Sequence, residues 1–267
     1  MLKCLNTLGV IFWKLDLMLV KTNNYLLKIE YDGTSFVGWQ YQKNGVSVQE
    51  KIEKALSKVF KSKIKINGAG RTDKGVHASG QYANFKVNMK IESETKFLNT
   101  INFFLKKNLI SITKIKKKNY MFHSRYDAKE RIYSYKIINR VGSLSLSRNK
   151  AWHVKKKLNI KIMKKGAKLL LGTHDFSTFR ASSCSSNSPI KKINAINIKK
   201  SGDEIILEFK SKSFLQNQVR SMVGSLEYLA CGKWTLKDFK KALKSKKRSR
   251  CAPPAPACGL YLKDIRY

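Results

Sequence analysis

Residues 68–81 read GAGRTDKGVHASGQ, and the segments on either side of them decide the fold. Lys63–Ile66 before and Gln81–Val87 after alternate apolar with polar residues, the period of a half-buried strand. Closely spaced glycines between them break any regular element, so the stretch is a tight loop joining two strands of one sheet. A residue on such a connection is held far better than one on a free tail. The loop carries one carboxylate, Asp73, among three groups that can be cationic, Arg71, Lys74 and His77. Nearby positive charge favours an ionised carboxyl. Asp73 is therefore expected to keep its proton off at neutral pH, as a nucleophile or base beside groups that can grip an anion.

Two phosphate-binding signatures fail on the same letters. Gly68-x-Gly70 starts like a dinucleotide fingerprint, but Asp73 stands where the third glycine belongs. Gly70 and Gly75 have the spacing of a P-loop, yet Val76 and His77 follow in place of Lys and Ser or Thr. Nucleotide cofactors are not indicated.

Outward from the loop the elements alternate. Tyr25–Tyr31 reads as a strand ending at Asp32-Gly33, and Phe36–Gln42 continues as extended chain. Ser47 with Glu50 forms a capping box before Val48, Ile52, Leu56 and Val59 at helical spacing. Thr95–Leu105 is a second helix and Leu109–Ile115 a further strand. Strand, helix, strand, strand, helix, strand is a ferredoxin-like unit, an arrangement many RNA-binding sheets share. The second half repeats the pattern, with strand Arg131–Ile138, helix Ile160–Leu171, a hairpin of Asn194–Lys199 and Glu204–Lys210, and helices Phe214–Cys231 and Leu236–Leu243. The expected fold class is α+β, two ferredoxin-like (RRM-like) halves with antiparallel or mixed sheets, joined around a central cleft. Residues 22–124 form the half with the catalytic loop and 125–267 the half that completes the cleft. Residues 1–21 are read as an extension outside the fold, with Met18 an alternative start.

Lys and Arg outnumber Asp and Glu by 55 to 17, a formal net charge of +38. Such a chain repels itself unless a polyanion shares the charge, which points to nucleic acid first and an anionic membrane surface second. A membrane span needs ~18 uninterrupted apolar residues, and the sequence has no such run. The five cysteines form no CxxC pair and no zinc-ligand spacing with His. Reduced thiols in the cytoplasm are the simplest reading, with no metal and no disulfide between Cys251 and Cys258.

The run Gly68–Ala78 resembles the active-site motif of the tRNA pseudouridine synthase A (TruA) family, GxGRTDxGVHA. FHSRYDAKERIYSYKI (Phe122–Ile137), GTHDFSTFRASSC (Gly172–Cys184), SFLQNQVRSMVG (Ser213–Gly224) and APACGLYL (Ala255–Leu262) resemble further family segments in the same order. The resemblance covers the chain from Tyr25 onward. It implies isomerisation of uridine to pseudouridine in the anticodon arm of tRNA, at positions 38 to 40, without metal, nucleotide or redox cofactor. It also implies a homodimer and the pseudouridine synthase fold. Asp73 falls on the family's catalytic aspartate, Tyr133 on the tyrosine against the target base, Arg220 on the arginine paired with the catalytic carboxylate, and Arg71 on the residue that helps displace the base. Lys74 and Cys258 depart from the motif at positions outside this chemistry. His77 and His123 read as structural, and Phe176 and Phe179 as core.

Without the resemblance, Tyr133 is an ordinary strand tyrosine and Arg220 an exposed helix residue. The rival function is a non-catalytic RNA-binding protein of paired RRM-like sheets. Asp73 separates the two, because an anion in a phosphate-binding loop weakens a pure binder.

Overall fold

A computed structural model describes residues 22–267; the extension read over residues 1–21 lies outside them. The alternating stretches become strands β1 (Asn23–Tyr31), β2 (Ile66–Gly68), β3 (His77–Val87), β4 (Ile110–Lys118) and β5 (Glu130–Asn139). β6 (Trp152–Val154), β7 (Gly172–Asp175), β8 (Ile190–Ser201), β9 (Glu204–Ser211) and β10 (Leu260–Arg266) complete the set. The helices are α1 (Val48–Phe60), α2 (Glu94–Leu105), α3 (Ile160–Lys168), α4 (Gln218–Ala230) and α5 (Leu236–Ser245). Ser47 caps α1 by accepting from the Glu50 N–H, as its spacing predicts. Thr235 and Asp238 close a reciprocal capping box on α5.

All ten strands belong to one mixed sheet in the order β4-β1-β3-β10-β5-β9-β8-β7, with β2 added to β3 and β6 to β5. The C-terminal strand β10 is the seam. It pairs in parallel with β3 through Tyr261 with His77 and Leu262 with Ala78, and antiparallel with β5, where Leu262 faces Tyr133. Ala78, Leu262 and Tyr133 therefore lie in one row across three strands, roughly 10 Å from end to end at the ordinary strand spacing. That row brings the exit of the glycine loop opposite Tyr133.

Helical spacing puts Ile52 and Leu56 of α1 and Ile101 and Leu105 of α2 against Leu27, Ile29 and Phe85 of the sheet, all fully buried. Met222, Val223 and Leu226 of α4 pack with Leu207, Phe209 and Phe239 in the same contiguous core. Phe176 and Phe179 are fully buried, the core role read from sequence.

Three local expectations fail. The strand read over Lys63–Ile66 is formed by Ile66–Gly68, the residues that lie opposite Phe85, Asn84 and Ala83, and its partner β3 already begins at His77, inside the stretch read as loop. Phe36–Gln42 is a series of turns and bends, because Gly38 takes φ +125 and Trp39 turns inward to 3% exposure. The helix read from Phe214 starts instead at Gln218. Asn217 before it adopts the left-handed region at φ 61, and the Gln218 Oε1 accepts from the Leu215 N–H, so the preceding residues are held in a turn.

Candidate active site

The connection Ala69–Val76 between β2 and β3 is fixed from four directions. Trp39 donates its backbone N–H to the Thr72 carbonyl (3.1 Å), and the Thr72 hydroxyl is 2.7 Å from the buried Tyr31 hydroxyl. The Gln81 side-chain amide donates to the Gly70 carbonyl at 2.7 Å. The Arg131 guanidinium donates to the Ala69 carbonyl from Nη2 (2.7 Å) and Nε (3.3 Å). Gly75 sits at φ +76, and the Val76 N–H closes a turn on the Asp73 carbonyl at 3.1 Å. Asp73 is thereby carried on a rigid backbone, its side chain 29% exposed.

Arg220, in the first turn of α4, reaches the same place. Its Nη1 is 4.0 Å from the Asp73 carboxylate and donates to the Asn217 side chain, while its Nε donates to the Ala255 carbonyl at 2.7 Å. The Ala255 N–H returns a bond to the Arg220 carbonyl at 3.0 Å, so α4 and the proline-rich segment Ala252–Pro256 clamp each other. The close approach is set at Gly224, where a Cβ would stand 2.0 Å from the Pro253 carbonyl oxygen.

Burial lifts the Asp73 carboxyl above its ordinary value, and the Arg220 charge counters this only in part. The expectation drawn from the neighbouring cations is thus corrected. Arg71 and Lys74 point to solvent, His77 is buried elsewhere, and the cation that meets Asp73 comes from a different element. Tyr133 is 8% exposed, its ring edge-on to Phe214. Burial first, then the Asp73 charge, push its phenol up to about 12, with Arg131 opposing. Tyr133 is therefore a neutral phenol at neutral pH, within the electrostatic reach of Asp73.

The structure brings Asp73, Arg220 and Tyr133 together, and leaves Arg71 exposed at the loop's rim. His77 is structural: it is 1% exposed, its Nδ1 accepts from the Gly33 N–H, and its ring stacks on Tyr261. His123 closes a surface turn by accepting from the Arg125 N–H. Cys251 and Cys258 are both free thiols. Of the residues that hold the loop, Tyr31 and Trp39 lie in no quoted motif, and the motifs that contain Gln81 and Arg131 do not mark them for this task. Gln81 ends the quoted stretch, and Arg131 shares the alternation of Tyr133; those were the available signals.

Arg131 does more than hold one carbonyl. Nη2 also donates to the Arg125 carbonyl (2.9 Å) and Nη1 to the Lys212 carbonyl. One side chain thus ties together the Ala69–Val76 loop, the β4–β5 connection and the segment that leads into α4. Two large clefts elsewhere, one lined by α1 with Tyr41 and Phe104, the other by Asp32, Lys106 and Lys150, do not include Asp73.

The sequence profile described as tRNA pseudouridine synthase matches residues 28–127 and 167–267. The chain is 54% identical over 243 residues to the tRNA pseudouridine synthase A of Pelagibacter ubique (strain HTCC1062), covering 91% of this chain and 99% of that protein. It is 43% identical over 243 residues to the protein of that name from Maricaulis maris (strain MCS10), with 91% and 97% covered. The corresponding Thermoanaerobacter pseudethanolicus (strain ATCC 33223 / 39E) protein is 44% identical over 244 residues, with 91% and 99% covered.

Proposed function

The chain belongs to the tRNA pseudouridine synthase family and isomerises uridine in tRNA, and we propose that Asp73 is its catalytic residue and the anticodon arm, at positions 38 to 40, its target. The observation that carries the assignment is a carboxylate partly withdrawn from water on a pinned loop, facing an arginine and a buried tyrosine from two other elements. A non-catalytic RNA binder gives no reason for that arrangement, because a buried anion repels phosphate and raises the energy of the fold.

A uridine within a folded RNA must be everted before its glycosidic bond can be worked on. Arg71, at the rim, takes the place the base leaves. Asp73 then acts on the ribose, as a nucleophile at C1′ or as a base at C2′. The N1–C1′ bond breaks, the uracil turns while held, and a C5–C1′ bond forms. C5 gives up a proton and N1 gains one, so the reaction is balanced without any co-reactant. Arg220 orients the Asp73 carboxylate and favours its ionised form. Tyr133 lies against the base as a neutral phenol, while the proton leaving C5 passes to water and N1 takes one up from water.

We read the two arms of the sheet as ferredoxin-like halves dividing near Ser124, with residues 1–21 outside both. The working form is a cytoplasmic homodimer, which sedimentation of the purified protein would test. Pseudouridine mapping of tRNA treated with the purified protein tests the target. Signal at positions 38 to 40 is expected; conversion only in other arms would overturn the assignment.

A further inference from the structure

Resting on the tRNA reading, we infer that the turn His123–Asp127 is a preformed stacking platform for a base of the same RNA strand, close to the everted uridine. Tyr126 is 72% exposed. Its ring is nonetheless oriented by its neighbours. The His123 ring lies 4.4 Å from it, centroid to centroid, and the Arg125 guanidinium stands 5.7 Å from its centre. Beyond that ring, Arg125 has no hydrogen-bond or ion-pair partner for its guanidinium among the described residues.

The turn that presents these three side chains is closed on itself. Asp127 accepts from the His123 N–H (2.9 Å), the Asp127 N–H returns to the His123 carbonyl (3.0 Å), and the His123 Nδ1 accepts from the Arg125 N–H (3.1 Å). Ser124 at its centre is fully buried. Its hydroxyl donates to the Asn67 carbonyl in the middle of β2, and its N–H to the Asn84 side chain. A rigid exposed aromatic beside an unpaired cation is how proteins hold single-stranded bases and their phosphates, since every base has a face to stack.

Its position gives the platform a place in the reaction. The Arg125 and Ala69 carbonyls accept from the same nitrogen, Arg131 Nη2, at 2.9 and 2.7 Å. Ala69 opens the loop that carries Asp73, so the platform and the candidate catalytic residue share one rigid support. A strand whose uridine is everted toward Asp73 must pass this edge of the cleft, with the neighbouring bases unstacked and seeking a new partner. Tyr126 offers it, and Arg125 the charge for the adjoining phosphate.

The test is a binding cycle that needs no turnover, so it stands whatever Asp73 proves to do. Equilibrium binding is measured for the parent, Tyr126→Ala, Tyr126→Trp and Arg125→Met against an anticodon-arm RNA. A matched series of the same RNA carries one abasic nucleotide at each position flanking the target. Tyr126→Ala should weaken binding on the order of 10- to 100-fold on the intact RNA, with Tyr126→Trp close to the parent. One abasic position should abolish that difference between parent and Tyr126→Ala. Arg125→Met should reduce the salt slope by about 1, while Tyr126→Ala leaves it unchanged. Parent-like binding by Tyr126→Ala, or an equal loss on every abasic RNA, overturns the platform.

Discussion

Replacing Arg131 by Met keeps most of the apolar stem and removes every donor of the guanidinium. Three carbonyls then lose a charged donor: Ala69, Arg125 and Lys212. Arg125 and Lys212 are exposed and can turn to water, whereas Ala69 is 1% exposed and cannot. The cost therefore falls on Ala69, and an unsatisfied buried acceptor costs about 1–3 kcal/mol. For a chain of this size that lowers Tm by roughly 2–4 °C per kcal/mol, a fall of about 2–12 °C in all. Turnover should suffer more than stability does, because the freed carbonyl opens the loop that places Asp73 against Arg220 and Tyr133. A displacement near 1 Å at a reacting group costs on the order of 100-fold. Thermal unfolding and single-turnover rates on tRNA, both well below the new Tm, read the two effects separately. Arg131→Lys should recover less than half of either, since one ammonium cannot span three acceptors, and added guanidinium should restore part of the rate to the deeper truncation Arg131→Ala, which leaves room for it. A variant with parent-like rate and Tm would refute the view that this side chain fixes the loop.

Three further outcomes follow from the site. The Asp73 carboxyl has a raised value in the folded protein, so its stabilising contribution is full below the unfolded value and is lost as pH rises through the folded one; Asp73→Asn should therefore raise Tm at neutral pH, and a lowered Tm would contradict the burial argument. For the same reason the acid limb of kcat/KM should lie above the ordinary aspartate range, and Arg220→Met, which removes the countering charge, should move it higher still. An unmoved limb would place Arg220 outside electrostatic contact in solution. Gly38→Ala puts a Cβ 2.7 Å from the Thr72 carbonyl at φ +125, a conformation that costs L residues about 1–3 kcal/mol. A clear drop in Tm with slowed turnover is expected, and a silent substitution would show that the Phe36–Gln42 bend does not support the loop.

Much of this arrangement was legible from periodicity. The strand–loop–strand unit, the core face of α1 and the Ser47 cap each rest on spacing that one segment carries by itself. What escaped is what depends on two segments meeting. β10 was visible only as a motif, because its role as the seam is set by pairing with β3 and β5 some 180 and 130 residues away. The bend at Trp39 follows from an indole that packs against Gly68, where a Cβ would be 2.2 Å from its Nε1. The charge on Asp73 is not a local matter either: Arg71 and Lys74 beside it in sequence are exposed, and burial raises its carboxyl against the Arg220 charge. Arg131 gives no local sign of its task, since an arginine on an alternating strand reads as surface.

In the proposed mechanism the carboxylate of Asp73 acts on the ribose of an everted uridine. Single-turnover release of tritium from C5 of uridine in tRNA, measured for Asp73→Asn alongside its binding, tests this most directly. The Asn variant should bind tRNA as tightly as the parent, with its neutral amide in a partly buried place, and release tritium at a rate indistinguishable from the protein-free control. Release at a rate within about tenfold of the parent would contradict the account.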